Sequence, residues 1–399
     1  MPPSASDEIG KMTNRATILH LAVDYNTPQR PRTTTAIEWM VDELTDYDNV
    51  VIAYRRRPRL TRLGVTECAA PAGRLFDFPY FGLPLGLGLK HAMRAAARRT
   101  IRLLDREGIR PDLVHAHKLT FEGIAGWYIA RHFRVPLFVS VRGEVETKVV
   151  RNKPELRPFL RRLCRDAEKI YFVSAWFRDE FRRHIPGLDQ KQRLLPNIVR
   201  NIAPTIPRSD PEGNRFVSIF NLDTWKRKGL IWLLDGFARA VARDATLHLD
   251  LIGGGTAESV ANAERLVAKY GLAQHVTLLG RIANADLLAM LPSYKALLMP
   301  SLNETFGMVY VEALFAGVPV LFTEKTAIDG YLDGLDVART VPPRDAAAIA
   351  EAILALSHDH RALRRNISAA GPQLFERFEP RRSLEFYRAD VAGTLARWR

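Results

Sequence analysis

Cysteine is nearly absent: the 399 residues hold two, Cys68 and Cys164, and no Cys-x-x-Cys pair. This excludes a disulfide scaffold and a zinc ribbon and fits a reducing, cytoplasmic compartment. Long apolar runs are also missing. The nearest to one, Phe78 to Leu89, is interrupted by Pro79, Pro84 and three glycines and is too short to span a bilayer. Residues 1–14 carry Asp7 and Glu8 and no apolar stretch, so they read as a flexible tail rather than a secretory signal. Acidic excess is lacking too, since 58 Lys+Arg face 44 Asp+Glu, for a net charge of +14. What is present, 47% hydrophobic and 26% charged residues, has the balance of a soluble globular chain long enough for two domains.

The charge is unevenly placed. Residues 1–200 carry 35 basic and 22 acidic side chains, and residues 201–399 carry 23 and 22. An anionic partner for the first half follows, whether nucleic acid, lipid or phosphorylated acceptor. Short β-rich runs alternate with helix-length amphipathic segments through both halves, which predicts α/β architecture with two doubly wound, parallel-sheet domains. The expected strands are Ala16–Val23, Asn49–Ala53, Asp112–Ala116, Pro136–Ser140 and Lys169–Val173, then Phe216–Phe220, Thr246–Ile252, His275–Leu279, Ala296–Met299 and Val318–Phe322. The pattern places a first domain at 15–196, a linker rich in Pro and polar residues at 197–214 and a second domain at 215–376, with a cleft between the carboxyl ends of the two sheets. Residues 377–399 read as a last helix that Pro380 starts afresh.

The strongest motif runs from Pro300 to Val320, Pro-Ser-Leu-Asn-Glu-Thr-Phe-Gly-Met-Val-Tyr-Val-Glu-Ala-Leu-Phe-Ala-Gly-Val-Pro-Val. A helix starting near Gly307 leaves the amides of Gly307, Met308 and Val309 free at the end of a strand, a site for a diphosphate that glycine lets approach closely. Glu304 precedes the helix. Glu312 lies inside it on an apolar face, where a carboxylate needs a hydrogen-bonding guest such as a ribose. Taken singly, each is more plainly a turn residue or a half-exposed helix residue. Their joint placement around the turn favours a ligand.

This segment resembles the Glu-x7-Glu signature of the family-4 retaining glycosyltransferases of GT-B fold, with Glu304 and Glu312 at its two glutamates. Arg110-Pro-Asp-Leu-Val-His-Ala-His117, Leu195-Pro-Asn197, Lys226-Arg-Lys-Gly229, Leu251-Ile-Gly-Gly-Gly255 and Val276-Thr-Leu-Leu-Gly-Arg281 resemble the same family in order. The resemblance covers nearly the whole chain. It implies two Rossmann-like domains facing a central cleft, and a terminal helix that crosses back to the first. It also implies a nucleotide diphosphate-sugar donor held by the second domain, with no metal or other cofactor. Lys228 matches the family's diphosphate-binding lysine, Glu304 contacts the donor sugar and Glu312 the ribose. Gly254 and Arg281 complete the donor set. The acceptor is then a saccharide or lipid-linked saccharide of bacterial surface polysaccharide assembly.

Three departures stand out. Where the family places an arginine before the lysine, this chain has Phe220-Asn-Leu-Asp223, which leaves Arg227 or Lys226 to supply the second cation. The usual glycine-rich loop after the first strand is replaced by Asp24–Thr35, with Arg30 and Arg32. Arg142-Gly143 stands where many members have His-Gly, and arginine only donates. Arg30, Arg32, His117 and Arg142 are therefore the acceptor-side candidates, although a satisfied strand-end histidine explains His117 equally well.

Other features have plain readings. Asp46-Tyr-Asp48 precedes a strand and is a loop, and His358-Asp-His360 lacks further ligands in sequence, so neither implies a metal. Gly253–Gly255 lacks the full dinucleotide fingerprint, which disfavours a dehydrogenase. Lys90, Arg94, Arg98, Arg102 and Arg106 form a basic stripe beside an apolar row, preceded by the aromatic segment at Phe78. Such a stripe fits contact with an anionic membrane surface, and equally a solvated helix face. A nucleotide-sugar epimerase or phosphorylase on a similar fold is the rival enzyme class. A nucleic-acid binder is the other rival, but the organised motifs lie in the half without excess charge, and no nucleic acid is expected.

Overall fold

The computed structural model describes residues 15–31, 35–58, 64–200, 202, 203, 206, 211 and 213–398. The expected tail at 1–14, Arg32 and part of the segment 197–214 lie outside them.

In the first domain the strands are β1 (Thr17–Ala22), β2 (Asp48–Arg57), β3 (Thr66–Cys68), β4 (Arg74–Phe81), β5 (Leu113–Ala116), β6 (Leu137–Val141), β7 (Lys169–Phe172) and β8 (Gln192–Leu194). Its helices are α1 (Ala36–Glu43), α2 (Leu89–Arg106), α3 (Glu122–Phe133), α4 (Glu144–Asn152), α5 (Arg157–Asp166) and α6 (Arg178–His184). The sheet runs β3-β4-β2-β1-β5-β6-β7-β8, parallel except for β3 on β4. β5 and β6 are buried along their whole length, as a sheet covered on both faces requires.

The second domain has β9 (Arg215–Ile219), β10 (His248–Ile252), β11 (Val276–Gly280), β12 (Leu297–Met299), β13 (Val320–Thr323) and β14 (Ala338–Val341), in the all-parallel order β11-β10-β9-β12-β13-β14. Around it lie α7 (Leu230–Val241), α8 (Ala257–Lys269), α9 (Asn284–Met290), α10 (Met308–Phe315), α11 (Ala346–Ala369) and α12 (Gly371–Phe378). Strand order reverses between β1 and β5 in one sheet and between β9 and β12 in the other. These switch points are where open α/β sheets bind ligands.

Several elements differ from the expectations. The segment after Arg74 is strand β4, so Phe78 and Tyr80 are core residues, 0% and 3% exposed, and not membrane-facing aromatics. Pro79 is tolerated because pairing with β3 ends at Asp77, which leaves only β2 alongside. α4 and α5 fill a stretch left unassigned. The segment after Asn197 is more apolar in role than its composition implies: Ile198 and Ile206 are buried.

The last helix, α13 (Pro380–Trp398), lies on the first domain. Leu384, Tyr387 and Val391 share a core cluster with Ile18, Leu113, Phe138 and Tyr171. The Asp390 carboxylate pairs with Lys169 at 2.6 Å and Arg193 at 3.1 Å, and accepts from the Tyr171 hydroxyl at 3.0 Å. Phe386, the residue before Tyr387, is 54% exposed. One residue is about 100° of helix rotation, so it cannot share a face with Tyr387.

The two domains also meet directly. The Ser174 hydroxyl donates to the Thr305 carbonyl at 2.7 Å, and the Tyr331 hydroxyl lies 3.2 Å from the Val173 carbonyl.

Candidate functional site

Two loops at the carboxyl ends of β9 and β12 build the second-domain side. Gly307 caps α10 with φ 71°, and a Cβ there would meet the Tyr310 ring at 2.5 Å, so only glycine fits the turn. The Tyr310 hydroxyl donates to the Met299 carbonyl at 2.6 Å and ties the helix to the strand it leaves. The amides of Met308 and Val309 therefore sit at a fixed helix start, where an anion is favoured. Gly229, with φ 73°, passes so close to the Pro300 carbonyl that a Cβ would approach it to 2.3 Å. That approach brings Lys228 to Glu304. Their side chains form an ion pair and are 13% and 12% exposed.

Glu312 lies one turn into α10. Burial pushes its carboxyl up, opposed by a hydrogen bond from Asn284. A half-buried carboxylate at a helix start is suited to accept from a ligand hydroxyl. Gly254 and Arg281 lie side by side, such that a Cβ on Gly254 would stand 3.5 Å from the Arg281 side chain. Asn221 and Asp223, in the stretch where an arginine was missed, pin the loop instead. The Asn221 side chain accepts from the Asp223 amide at 2.9 Å, and Asp223 accepts from the Thr256 amide at 2.7 Å. Of the two replacement cations, Arg227 lines the interdomain cleft, of about 1150 Å³, while Lys226 lies over the Trp225 ring at 5.2 Å.

On the first-domain side the candidates are rearranged. His117 is 1% exposed, and its ring bonds His20 at 3.1 Å. His117 follows the end of β5 and lines a small pocket with Ser140, Arg142 and Asn197. Arg142 is also buried. It donates to the His117 carbonyl at 3.0 Å and to Asn197 at 3.1 Å, and so fixes the start of the interdomain segment. Arg30 pairs with Asp24 at 3.4 Å and donates to the Val23 carbonyl. Lys90 lies over the Phe159 ring and Arg94 over that of Tyr128, and Arg94, Arg98 and Arg102 are exposed. His20, His115 and His117 bring ring nitrogens within 4.8 Å of one another, but their hydrogen bonds run to each other, to Asn49, to Ser140 and to Tyr387. They link the sheet to α13.

Sequence reasoning missed a charged group beside this network. Lys118 pairs with Asp24, Glu122 accepts from the Val23 amide at 2.7 Å, and Glu146 accepts from the Leu119 amide at 3.2 Å. Both glutamates are fully buried, and one oxygen of each has no partner among the described residues. Their position at the strand ends beside the switch point was the available signal. Burial pushes Glu122 up to about 8, despite Lys118 nearby. The folded protein therefore keeps a proton between pH 4.5 and 8 that the unfolded chain releases, and stability drains as pH rises through that window. Glu122→Gln does not titrate, so its stability relative to wild type should rise by on the order of 3 kcal/mol from pH 5 to pH 8. Urea unfolding at the two pH values measures this, and a constant difference would exclude a protonated Glu122.

Residues 31–197 match the family profile of the glycosyl transferase 4-like domain, and residues 213–359 match that of glycosyl transferases group 1. The chain is 25% identical over 329 residues to a phosphatidyl-myo-inositol mannosyltransferase of Mycobacterium leprae, covering 81% of this chain and 83% of that one. It is also 25% identical over 312 residues to a Mycobacterium tuberculosis glycogen synthase, covering 73% and 71%. In fold it is similar to sucrose-phosphate synthase of Thermosynechococcus elongatus, with a TM-score of 0.70 at 19% identity over 96% of this chain and 99% of that one. Anabaena HepE in complex with UDP gives a TM-score of 0.69 at 16% identity, over 94% and 100%. With two wound-sheet domains, a glycine-capped helix that starts between two glutamates at the switch point of the second, and both halves matched in order, the chain belongs to the family-4 glycosyltransferases of GT-B fold.

Proposed function

We propose that this glycosyltransferase is retaining and moves a sugar from a nucleoside diphosphate-sugar, bound by the second domain, to an acceptor on the first. The observation that carries the reading is the Lys228–Glu304 ion pair beside the amino end of α10. There the amides of Met308 and Val309, with Lys228 and Arg227, oppose the charge that grows on the departing diphosphate. Glu304 accepts from hydroxyls of the transferred sugar, and its tie to Lys228 makes it an orienting carboxylate rather than a nucleophile. Glu312 accepts from the ribose. The uridine diphosphate in the structurally similar HepE supports a nucleotide donor. The related mannosyltransferase named for phosphatidyl-myo-inositol supports lipid-linked or surface glycan assembly. No described helix is long and apolar enough to cross a membrane. We place the protein in the cytoplasm, with the exposed basic face of α2 toward the anionic inner surface of the membrane.

The site replaces a divalent metal with fixed cations and amides, so no metal is required. Full turnover should persist after exhaustive chelation, and the product anomer, read by proton NMR, should keep the donor's configuration. Activity lost on chelation and restored by manganese or magnesium would overturn the metal-free reading, and an inverted anomer would overturn retention.

A further inference from the structure

Three of the large apolar side chains exposed among the described residues fall within five positions, at Leu83 (44%), Leu85 (88%) and Leu87 (57%), in the loop between β4 and α2. Single exposed leucines are ordinary on a protein surface, but a cluster marks a contact. Leu85 is held at φ 54°, a conformation costly for a residue other than glycine, with its side chain exposed. The loop forms one wall of a groove of about 670 Å³, within the roughly 300–1,000 Å³ usual for small-molecule sites. Leu89, Ala92, Phe121, Val145 and Val149 continue the lining.

The charged residues of the groove have one sign. Arg56, Lys148 and Lys153 line it, and among the described residues no acidic side chain does. Arg56 also donates to the Leu83 carbonyl at 3.1 Å, which holds a cation at the foot of the leucine loop. α4 is the second wall, and Lys148 on it lines both this groove and the interdomain cleft. One helix therefore separates an apolar trough from the interdomain cleft, which Arg227 of the proposed donor site also lines.

We propose that the groove seats the hydrocarbon chain of an anionic lipid acceptor, its charged head held by Lys148, Lys153 and Arg56 and its saccharide laid across α4 into the cleft. The word acceptor rests on the glycosyltransferase reading; the groove's preference for an anionic amphiphile does not. Cations at the rim and none of the opposite charge select an anionic head. The largely apolar lining selects a chain over a second saccharide.

The test uses the full chain and n-dodecyl phosphate below its micelle concentration, by isothermal titration calorimetry. One molecule should bind per chain, saturably. Inorganic phosphate should show no binding, and n-dodecyl maltoside, with a neutral head, should bind at least 10-fold more weakly. Leu85→Asp with Leu87→Asp, both at exposed positions, and Ala92→Phe, which fills the trough, should each weaken binding at least 10-fold with unchanged melting temperature. Lys148→Glu should weaken it several-fold. Partition without saturation, equal affinity for the maltoside, or wild-type affinity in the leucine variant would overturn the proposal. So would loss of self-association in that variant with lipid binding intact, since a second copy would then be the occupant. Glu312→Ala should bind dodecyl phosphate like wild type. Failure of nucleotide binding alone would strike the donor reading and leave the groove standing.

Discussion

Lys228→Ala should lower kcat by about 100- to 1,000-fold, the range found when one fixed donor to a developing anion is removed. The lysine is rigidly placed, because Gly229 brings its loop against Pro300 and the Leu302 amide donates to the Arg227 carbonyl at 2.9 Å. Its charge is wanted more by the departing diphosphate than by the bound donor, so KM should change far less than kcat. Two explanations of such a loss are separable. If Lys228 served only to hold Glu304, Glu304→Gln with Lys228→Ala would be no worse than Glu304→Gln alone. If it stabilises the leaving group, the double variant falls well below either single one. Steady-state kinetics with saturating acceptor reads the outcome, and near-wild-type kcat in Lys228→Ala would remove the residue from the chemistry.

Tyr387→Ala should destabilise the protein by about 3–5 kcal/mol, the usual cost of deleting a large buried ring. Tyr387 is 0% exposed on α13, and its ring stacks on His115 with centroids 5.3 Å apart while its hydroxyl bonds His115 at 3.0 Å. Its loss opens a cavity and strips a partner from the three-histidine network, so both apolar and polar terms act in one direction. The effect should fall on the first domain, which sets His115, Phe138 and Tyr171 against the ring. Phe386→Ala, one residue away and exposed, should stay within about 0.5 kcal/mol. Equal destabilisation of the two variants by urea unfolding would mean that α13 does not pack as described.

What was legible in the sequence follows from how local each signal is. The central parallel strands read clearly because strands such as Leu113–Ala116 and Leu137–Val141 are buried on both faces and stand as short apolar runs between helices. The Glu304–Glu312 turn read clearly because its chemistry is contiguous in the chain. β4 did not, because a proline among four aromatics looks like an irregular segment until β3 and β2 lie beside it. The charged group of Asp24, Lys118, Glu122 and Glu146 was hidden because its members come from three separate segments and meet only at the sheet's end. For Arg142 and His117 the sequence left the direction of the side chain open. Both are at the right strand ends, but whether a strand-end side chain turns to the cleft or to the core depends on a distant partner, here Asn197 and His20.

The central claim, a nucleoside diphosphate-sugar held by the α10 turn, is tested most directly by calorimetric titration of nucleoside diphosphates in the absence of metal. One nucleoside diphosphate should bind wild type at a single site. Glu312→Ala should lose about 10-fold or more in affinity, because its carboxylate no longer accepts from the ribose, and the corresponding nucleoside monophosphate should bind much more weakly. Absence of any nucleotide binding, or binding that Glu312→Ala leaves untouched, would contradict it.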